Sequence, residues 1–130
     1  MNNKKFSLLV AVLMLAAVVL QACASKPSAN FPTGRFANPE DPLEGFDFHE
    51  DGTWNNFYYG AHEVWGTYSV KGDLYIEETN NFNCGKSPMS FRYTFDGTNL
   101  TFELTEESKA DECEGRRNAF DGTTWVVVEE

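Results

Sequence analysis

Apolar and polar residues alternate along most of the chain after residue 33, and turn residues interrupt the alternation at intervals of about eight to twelve positions. A period of two is the pattern of a half-buried β-strand, and Asp-Gly pairs between such segments favour tight hairpins. The pattern predicts eight strands, over residues 33–37, 44–50, 53–59, 63–70, 74–79, 89–95, 99–105 and 123–128. One helical turn is expected near residues 114–119, in the connection before the last strand.

The two faces of each predicted strand differ in polarity, which indicates one buried and one solvated face. In the fifth segment, Leu74 and Ile76 form the apolar face, opposite Tyr75 and Glu77. The other segments supply an expected aromatic interior of Phe46, Phe48, Trp54, Tyr68, Phe91, Tyr93, Phe95 and Phe102.

Eight short antiparallel strands joined by tight turns close most simply into an all-β, up-and-down barrel, because closure removes exposed strand edges. A two-sheet β-sandwich uses the same alternation and stays an alternative. The interior of an eight-stranded barrel is either filled by side chains or holds one small ligand. Both outcomes stay open at this point.

The N-terminus has the layout of an export signal. Lys4 and Lys5 precede an uncharged apolar run of 15 residues, 6–20, which is short for a membrane span of about 20. The run ends in Leu20-Gln21-Ala22-Cys23, which resembles a bacterial lipobox and implies cleavage before Cys23 and acylation of that residue. An uncleaved anchor helix is the alternative.

This interpretation of the N-terminus divides the chain into three segments and predicts where in the cell the protein lies. Residues 1–22 form the signal peptide, residues 23–32 the lipidated cysteine with a polar, proline-bearing tether, and residues 33–130 the barrel domain. The lipid would attach the protein to a membrane of the cell envelope, on the extracytoplasmic face.

The net charge of the mature chain excludes one class of binding partner. All 20 acidic residues lie after Cys23, whereas Lys4 and Lys5 precede it, so the mature chain would carry a net charge of about −12. Such a field repels phosphate backbones, so nucleic acid is excluded as a partner.

Two further cysteines, Cys84 and Cys113, remain once Cys23 is assigned to the lipid. Disulfides persist outside the cytoplasm, so these two are predicted to pair. Free thiols are the alternative. A zinc site would need ligands that the surrounding sequence lacks.

A set of motifs in order along the chain resembles the small bacterial lipocalin-like domains of the calycin group, which occur as secreted proteins or lipoproteins. The motifs are Phe46-Asp47-Phe48, the segment 66–73, the segment 93–97, Leu100-Thr101-Phe102-Glu103-Leu104 and Cys113-Glu114-Gly115-Arg116. The resemblance implies a short-stranded barrel that binds a small apolar ligand. In Gly34-Arg35-Phe36, Phe36 stands where the group has Trp, and Arg116 is the implied basic residue packed over that ring.

Candidate sites follow from these patterns. His49 and His62 lack a nucleophile at convincing spacing, so no enzyme activity and no cofactor are expected. The acidic residues from Glu106 to Glu114 lack the spacing of a calcium loop, so no metal is expected.

Exposed aromatic residues at Tyr58, Tyr59 and Trp65 would contact an envelope protein, which is the alternative function. The candidate ligand-binding residues for a small hydrophobic molecule are Phe46, Phe48, Trp54, Tyr68, Phe91, Arg92, Tyr93 and Phe102.

Overall fold

The chain folds into a closed, eight-stranded antiparallel barrel in which each strand pairs with its neighbour in sequence and β1 pairs with β8. The computed structural model describes residues 31–62, 64–80 and 87–129. The strands are β1 Gly34–Ala37, β2 Glu44–Phe48, β3 Thr53–Tyr58, β4 Trp65–Lys71, β5 Leu74–Thr79, β6 Met89–Phe95, β7 Asn99–Leu104 and β8 Thr124–Val127. The predicted all-β barrel is confirmed, and the sandwich alternative is wrong because the sheet closes on itself.

The connections give the barrel two different ends. At one end, here called the entry end, the chain enters at Phe31 and three short turns join β2 to β3, β4 to β5 and β6 to β7. At the other, the helical end, a 3₁₀ helix, Glu106–Ala110, and helix α1, Glu114–Phe120, lie between β7 and β8. The helical turn expected near residues 114–119 is therefore a seven-residue helix.

The barrel interior is packed with aromatic rings. Phe31 inserts at the entry end, with its ring centroid 5.0 Å from that of Tyr93 and 5.3 Å from that of Tyr75. Phe120 of α1 inserts from the helical end, 4.6 Å from Phe46 and 5.0 Å from Phe102. Each end is thus closed by a side chain of the protein itself, and Phe31, assigned to the tether by sequence, belongs to the core.

One strand faces the opposite way from its expected orientation. Tyr75 and Glu77 of β5 are buried, with 0% and 1% of their surface exposed, whereas Leu74 and Ile76 are only partly buried. Glu77 is accommodated because Arg116 reaches into the barrel to pair with it. The other correction is Phe95, at the end of β6, which is 37% exposed and so lies on the rim instead of inside.

Candidate functional site at the helical end

A buried ion pair fastens helix α1 to the barrel wall. Arg116 Nε donates to Glu77 Oε1 at 2.9 Å, and the two side chains are 5% and 1% exposed. Thr79 Oγ1 donates to the other Glu77 oxygen at 2.6 Å, and Arg116 Nη2 donates to the Ser87 carbonyl at 2.7 Å. Burial raises the pKa of Glu77, while Thr79 and Arg116 act in the opposite direction.

Helix α1 is positioned by bonds at both of its ends. At its start, Cys113 Sγ accepts from the Arg116 backbone N–H at 3.4 Å, and Asp111 Oδ1 accepts from the Cys113 N–H at 2.8 Å. At its end, Asp121 Oδ1 accepts from the Leu104 N–H at 2.8 Å, which ties the helix to β7. These contacts hold Arg116 and Phe120 over the barrel opening.

Beside the ion pair lies a small, mainly apolar pocket of about 240 Å³ between α1 and the barrel. Two of the residues that line it have buried nitrogen atoms without a hydrogen-bond partner among the residues that the structure describes. These atoms are Trp54 Nε1 and Arg116 Nη1. An unpaired buried donor costs free energy, so a hydrogen-bond acceptor bound beside these atoms would stabilise the region. The pocket is lined by Phe46, Trp54, Asn56, Val64, Glu77, Thr79, Gly115, Arg116, Ala119 and Phe120.

A larger groove of about 790 Å³ lies on the outside of the same end. It runs between the β1–β2 connection and the chain that leads from α1 into β8. Asn38, Glu40, Glu44 and Asn118 supply polar groups, and Tyr58 supplies an exposed ring. Three residues line both the groove and the small pocket: Phe46, Asn56 and Ala119.

The outer face of β1 to β3 carries a polar cluster that includes both histidines. His49 Nε2 lies 2.9 Å from Asn55 Oδ1, and Asn55 Nδ2 lies 3.0 Å from His62 Nδ1. Arg35 forms a two-point ion pair with Asp47, at 2.8 and 2.9 Å, which together with Asn55 lowers the pKa of Asp47 against the effect of burial. A single amide thus joins the two imidazoles, and no serine or cysteine nucleophile is bonded to either within the described ranges.

The candidate ligand residues fall into three groups. Phe46 and Trp54 line the small pocket. Arg92 points outward and pairs with Asp73 at 2.6 Å, with both side chains more than half exposed. The remaining five lie in the packed core: Phe48, Tyr68, Phe91, Tyr93 and Phe102.

The interior tyrosines are tied to the entry end. Tyr68 Oη donates to the His49 carbonyl at 2.7 Å, and Tyr93 Oη donates to the Gly72 carbonyl at 3.1 Å. Burial raises the pKa of Tyr68 to about 12. Both rings therefore act in the structure as supports for turns.

The contact implied between Arg116 and Phe36 is replaced by another. Phe36 is fully buried and packs against Phe48 and Phe95, at 5.9 and 6.0 Å. The guanidinium of Arg116 is held by Glu77 and Ser87 instead. A guanidinium does lie over a ring elsewhere: Arg35 is 4.5 Å from the centroid of Phe57 on the outer face.

Two cysteine assignments fall partly or wholly outside the described residues. Neither Cys23 nor Cys84 is among the described residues, so the lipid attachment and the Cys84–Cys113 pairing stay predictions. Cys113 itself is buried, at the start of α1.

Comparison with protein-family models, with curated proteins and with solved structures returned no match for this chain. Across the described ranges, every helix is too short or too polar to cross a membrane.

Proposed function

We propose that the protein is a lipid-anchored, lipocalin-like envelope protein that acts by binding another protein, without catalysis, through the helical end of its barrel. The observation that carries the proposal is the closure of the barrel by Phe31 and Phe120, which leaves the outer surface to do the binding. Large apolar side chains are exposed at the helical end beside the groove: Leu43 is 53% exposed, Tyr58 47% and Tyr59 60%. Clusters of this kind mark interaction surfaces.

The proposed lipid anchor would direct this surface away from the membrane. The lipobox-like cysteine precedes the entry end, so a lipid on Cys23 would hold that end toward the membrane and leave the helical end directed outward. The strand order and the ordered motifs support the lipocalin-like assignment, and residues 1–23 support the envelope location.

Site-specific photo-crosslinking in intact cells tests the proposal. A photoreactive amino acid replaces Leu43 at the helical end or, as a matched control, Val128 at the entry end, which is 39% exposed. We expect a discrete protein adduct from position 43 and none from position 128, because only the first lies beside the groove. Adducts from position 128 alone, or from neither position, contradict the proposal.

A second candidate function, binding of a small apolar ligand, is favoured by the 240 Å³ pocket beside α1. That volume equals about eight water molecules, which suits a short aliphatic or monocyclic compound. Hexanol should shift the Trp54 indole N–H resonance in the wild type. Ala119→Phe, which fills the pocket, should abolish the shift, whereas Ala61→Phe on the exposed surface should not. An unshifted indole resonance in the wild type contradicts this function.

A further inference from the structure

The turn that joins β3 to β4 presents a residue in an unfavourable backbone conformation. Tyr58 and Ala61 exchange two backbone hydrogen bonds of 2.9 Å across a two-residue turn, Tyr59-Gly60. Both turn residues have positive φ, 48° for Tyr59 and 84° for Gly60, as in a type I′ hairpin. Asn, Asp and Gly suit the first position, whereas a bulky ring is strained there. Residues with such backbone strain cluster at binding and active sites, so the turn is a candidate for a functional role.

The strained turn builds a corner from two tyrosine rings. Tyr58 and Tyr59 have ring centroids 4.7 Å apart and planes at 78°, and about half of each side chain is exposed. Tyr59 Oη donates to Asp41 Oδ2 at 3.0 Å, which fixes the orientation of the ring. Two π faces at nearly a right angle, with a carboxylate alongside, form the surroundings that attract an organic cation.

Carboxylates dominate the side of the corner that faces the groove, whereas Arg35 and His62 line a separate depression on the other side of Gly60. The hydrogen bond to Asp41 raises the pKa of Tyr59, and the charges of Asp41 and Glu44 act in the same direction. The adjoining groove contains Glu40 and Glu44, and its described lining residues include no lysine, arginine or histidine. Since the whole chain carries a formal charge of −10, the corner and groove favour a cation over an anion.

The size of the groove indicates what carries that cation. A lone ammonium ion would fill the corner and leave most of the 790 Å³ groove empty. The groove also contains the amide side chain of Asn118, which suits the N–H and C=O groups of an extended peptide, whereas the Asn38 amide is already bonded to Glu44 and to the Glu40 N–H.

We propose that the Tyr58–Tyr59 corner binds an arginine or lysine side chain of a basic peptide segment, and that the groove beside it holds the flanking backbone. This inference rests on the proposed protein-binding function and names the chemistry of the partner. The guanidinium or ammonium group lies against the two rings, near Asp41, and the segment continues toward Glu40 and Glu44.

The test is a titration of the full-length protein, purified in detergent micelles, with a fluorescent peptide of alternating arginine and glycine. Tyr59→Asn is the decisive variant, because asparagine suits the left-handed turn and so keeps or raises the melting temperature. We expect it to weaken peptide binding at least tenfold. Trp65→Thr, which removes a ring that is 52% exposed outside the corner, should bind like the wild type.

Two further measurements separate the possible outcomes. A peptide with citrulline in place of arginine should bind at least tenfold more weakly, because it keeps the shape and loses the charge. Tetramethylammonium should compete only at far higher concentration than the peptide. Equal binding by Tyr59→Asn or by the citrulline peptide overturns the inference, as does tight binding of tetramethylammonium. If crosslinking from position 43 succeeds while the arginine peptide fails to bind, the proposed function stands and the cationic partner is wrong.

Discussion

Two arginine–carboxylate pairs in this protein have nearly the same chemistry and very different surroundings. Arg116–Glu77 is sealed inside the barrel, whereas Arg92–Asp73 lies on the surface with side chains 62% and 63% exposed. Breaking a buried pair leaves an uncompensated charge, which costs about 3–5 kcal/mol, whereas an exposed pair contributes about 0–1 kcal/mol. We therefore expect the inner pair to contribute much more than the outer pair to the stability of the fold and to the position of α1.

Arg116→Met should thus lower the free energy of unfolding by about 3–5 kcal/mol, and the matched control Arg92→Met by less than about 1 kcal/mol. The double variant Arg116→Met with Glu77→Leu should recover part of the loss, because it removes both buried charges. Urea unfolding followed by circular dichroism measures all of these. Equal effects of the two single arginine variants would contradict the central role given to the inner pair.

Asp96 shows how a single exposed residue makes stability depend on pH. Hydrogen bonds from Asn99 and from the Thr98 backbone lower the pKa of Asp96 to about 2, from an ordinary value of 3.8. A carboxylate with a depressed pKa stabilises the fold above its ordinary pKa, and that contribution is lost as the pH falls toward the folded-state value.

Asp96→Asn should therefore melt at a lower temperature than the wild type at pH 6, and the difference should shrink between pH 4 and pH 2. Asparagine keeps one acceptor oxygen for the Thr98 and Asn99 backbone N–H groups but loses the acceptor for Asn99 Nδ2, so the part of the difference that changes with pH is the part that reports the charge. Calorimetric melting temperatures across this range provide the measurement. A difference that stays constant with pH would show that the charge of Asp96 does not contribute.

Sequence alternation failed at single residues for an identifiable reason. In β5 both faces contain large side chains, so alternation alone could not tell whether Leu74 and Ile76 or Tyr75 and Glu77 face inward. Glu77 can face inward because Arg116, 39 positions away in sequence, pairs with its carboxylate, and this fixes the orientation of β5. Sequence patterns contain no signal for such a distant pair.

At the scale of elements, prediction from sequence was close. Each predicted strand matches an observed one to within about two residues at either end, because turn residues such as Gly97, with a φ of 102°, mark the boundaries. Phe120 and the closure of the barrel by α1 were missed, since a single seven-residue helix shows too few turns for a clear apolar stripe.

The pairing of β3, β4 and β5 depends on a glycine. A Cβ added to Gly66 would lie 2.0 Å from the carbonyl oxygen of Glu78 and 2.8 Å from Trp54 Nε1. Gly66 therefore leaves the space in which the Trp54 indole lies against the β4 backbone inside the barrel. The Trp54 ring, held in this position, forms part of the wall of the small pocket.

Gly66→Ala should lower the free energy of unfolding by about 1–3 kcal/mol, because backbone atoms must move to admit the methyl group. Gly115→Ala is the matched control: nothing lies within 4 Å of its added Cβ, and alanine suits a helix, so stability should be unchanged or rise by up to about 1 kcal/mol. Chemical unfolding separates the two variants. A Gly66→Ala protein as stable as the wild type would show that the strands adjust freely.

For the whole molecule, the two ends of the barrel differ in distance from the proposed anchor. Phe31, packed at the entry end, is eight residues after Cys23, and eight residues span at most about 29 Å. Because Phe31 is fixed among five rings, the tether cannot lengthen without unpacking the core. If Cys23 carries the proposed lipid, the entry end stays within that distance of the bilayer, and we expect the corner and groove to lie on the far side.

A fluorescent amino acid placed at Thr98, in an entry-end turn, should therefore transfer energy to a bilayer dye more efficiently than one placed at Asn118 on α1. Both positions are exposed, so labelling should leave the fold intact. Lipidated protein reconstituted in vesicles is the sample, and vesicles without the dye correct for quenching by the protein. More efficient transfer from position 118 would mean that the groove faces the membrane. The basic segment proposed to bind there would then have to belong to a protein at the bilayer surface.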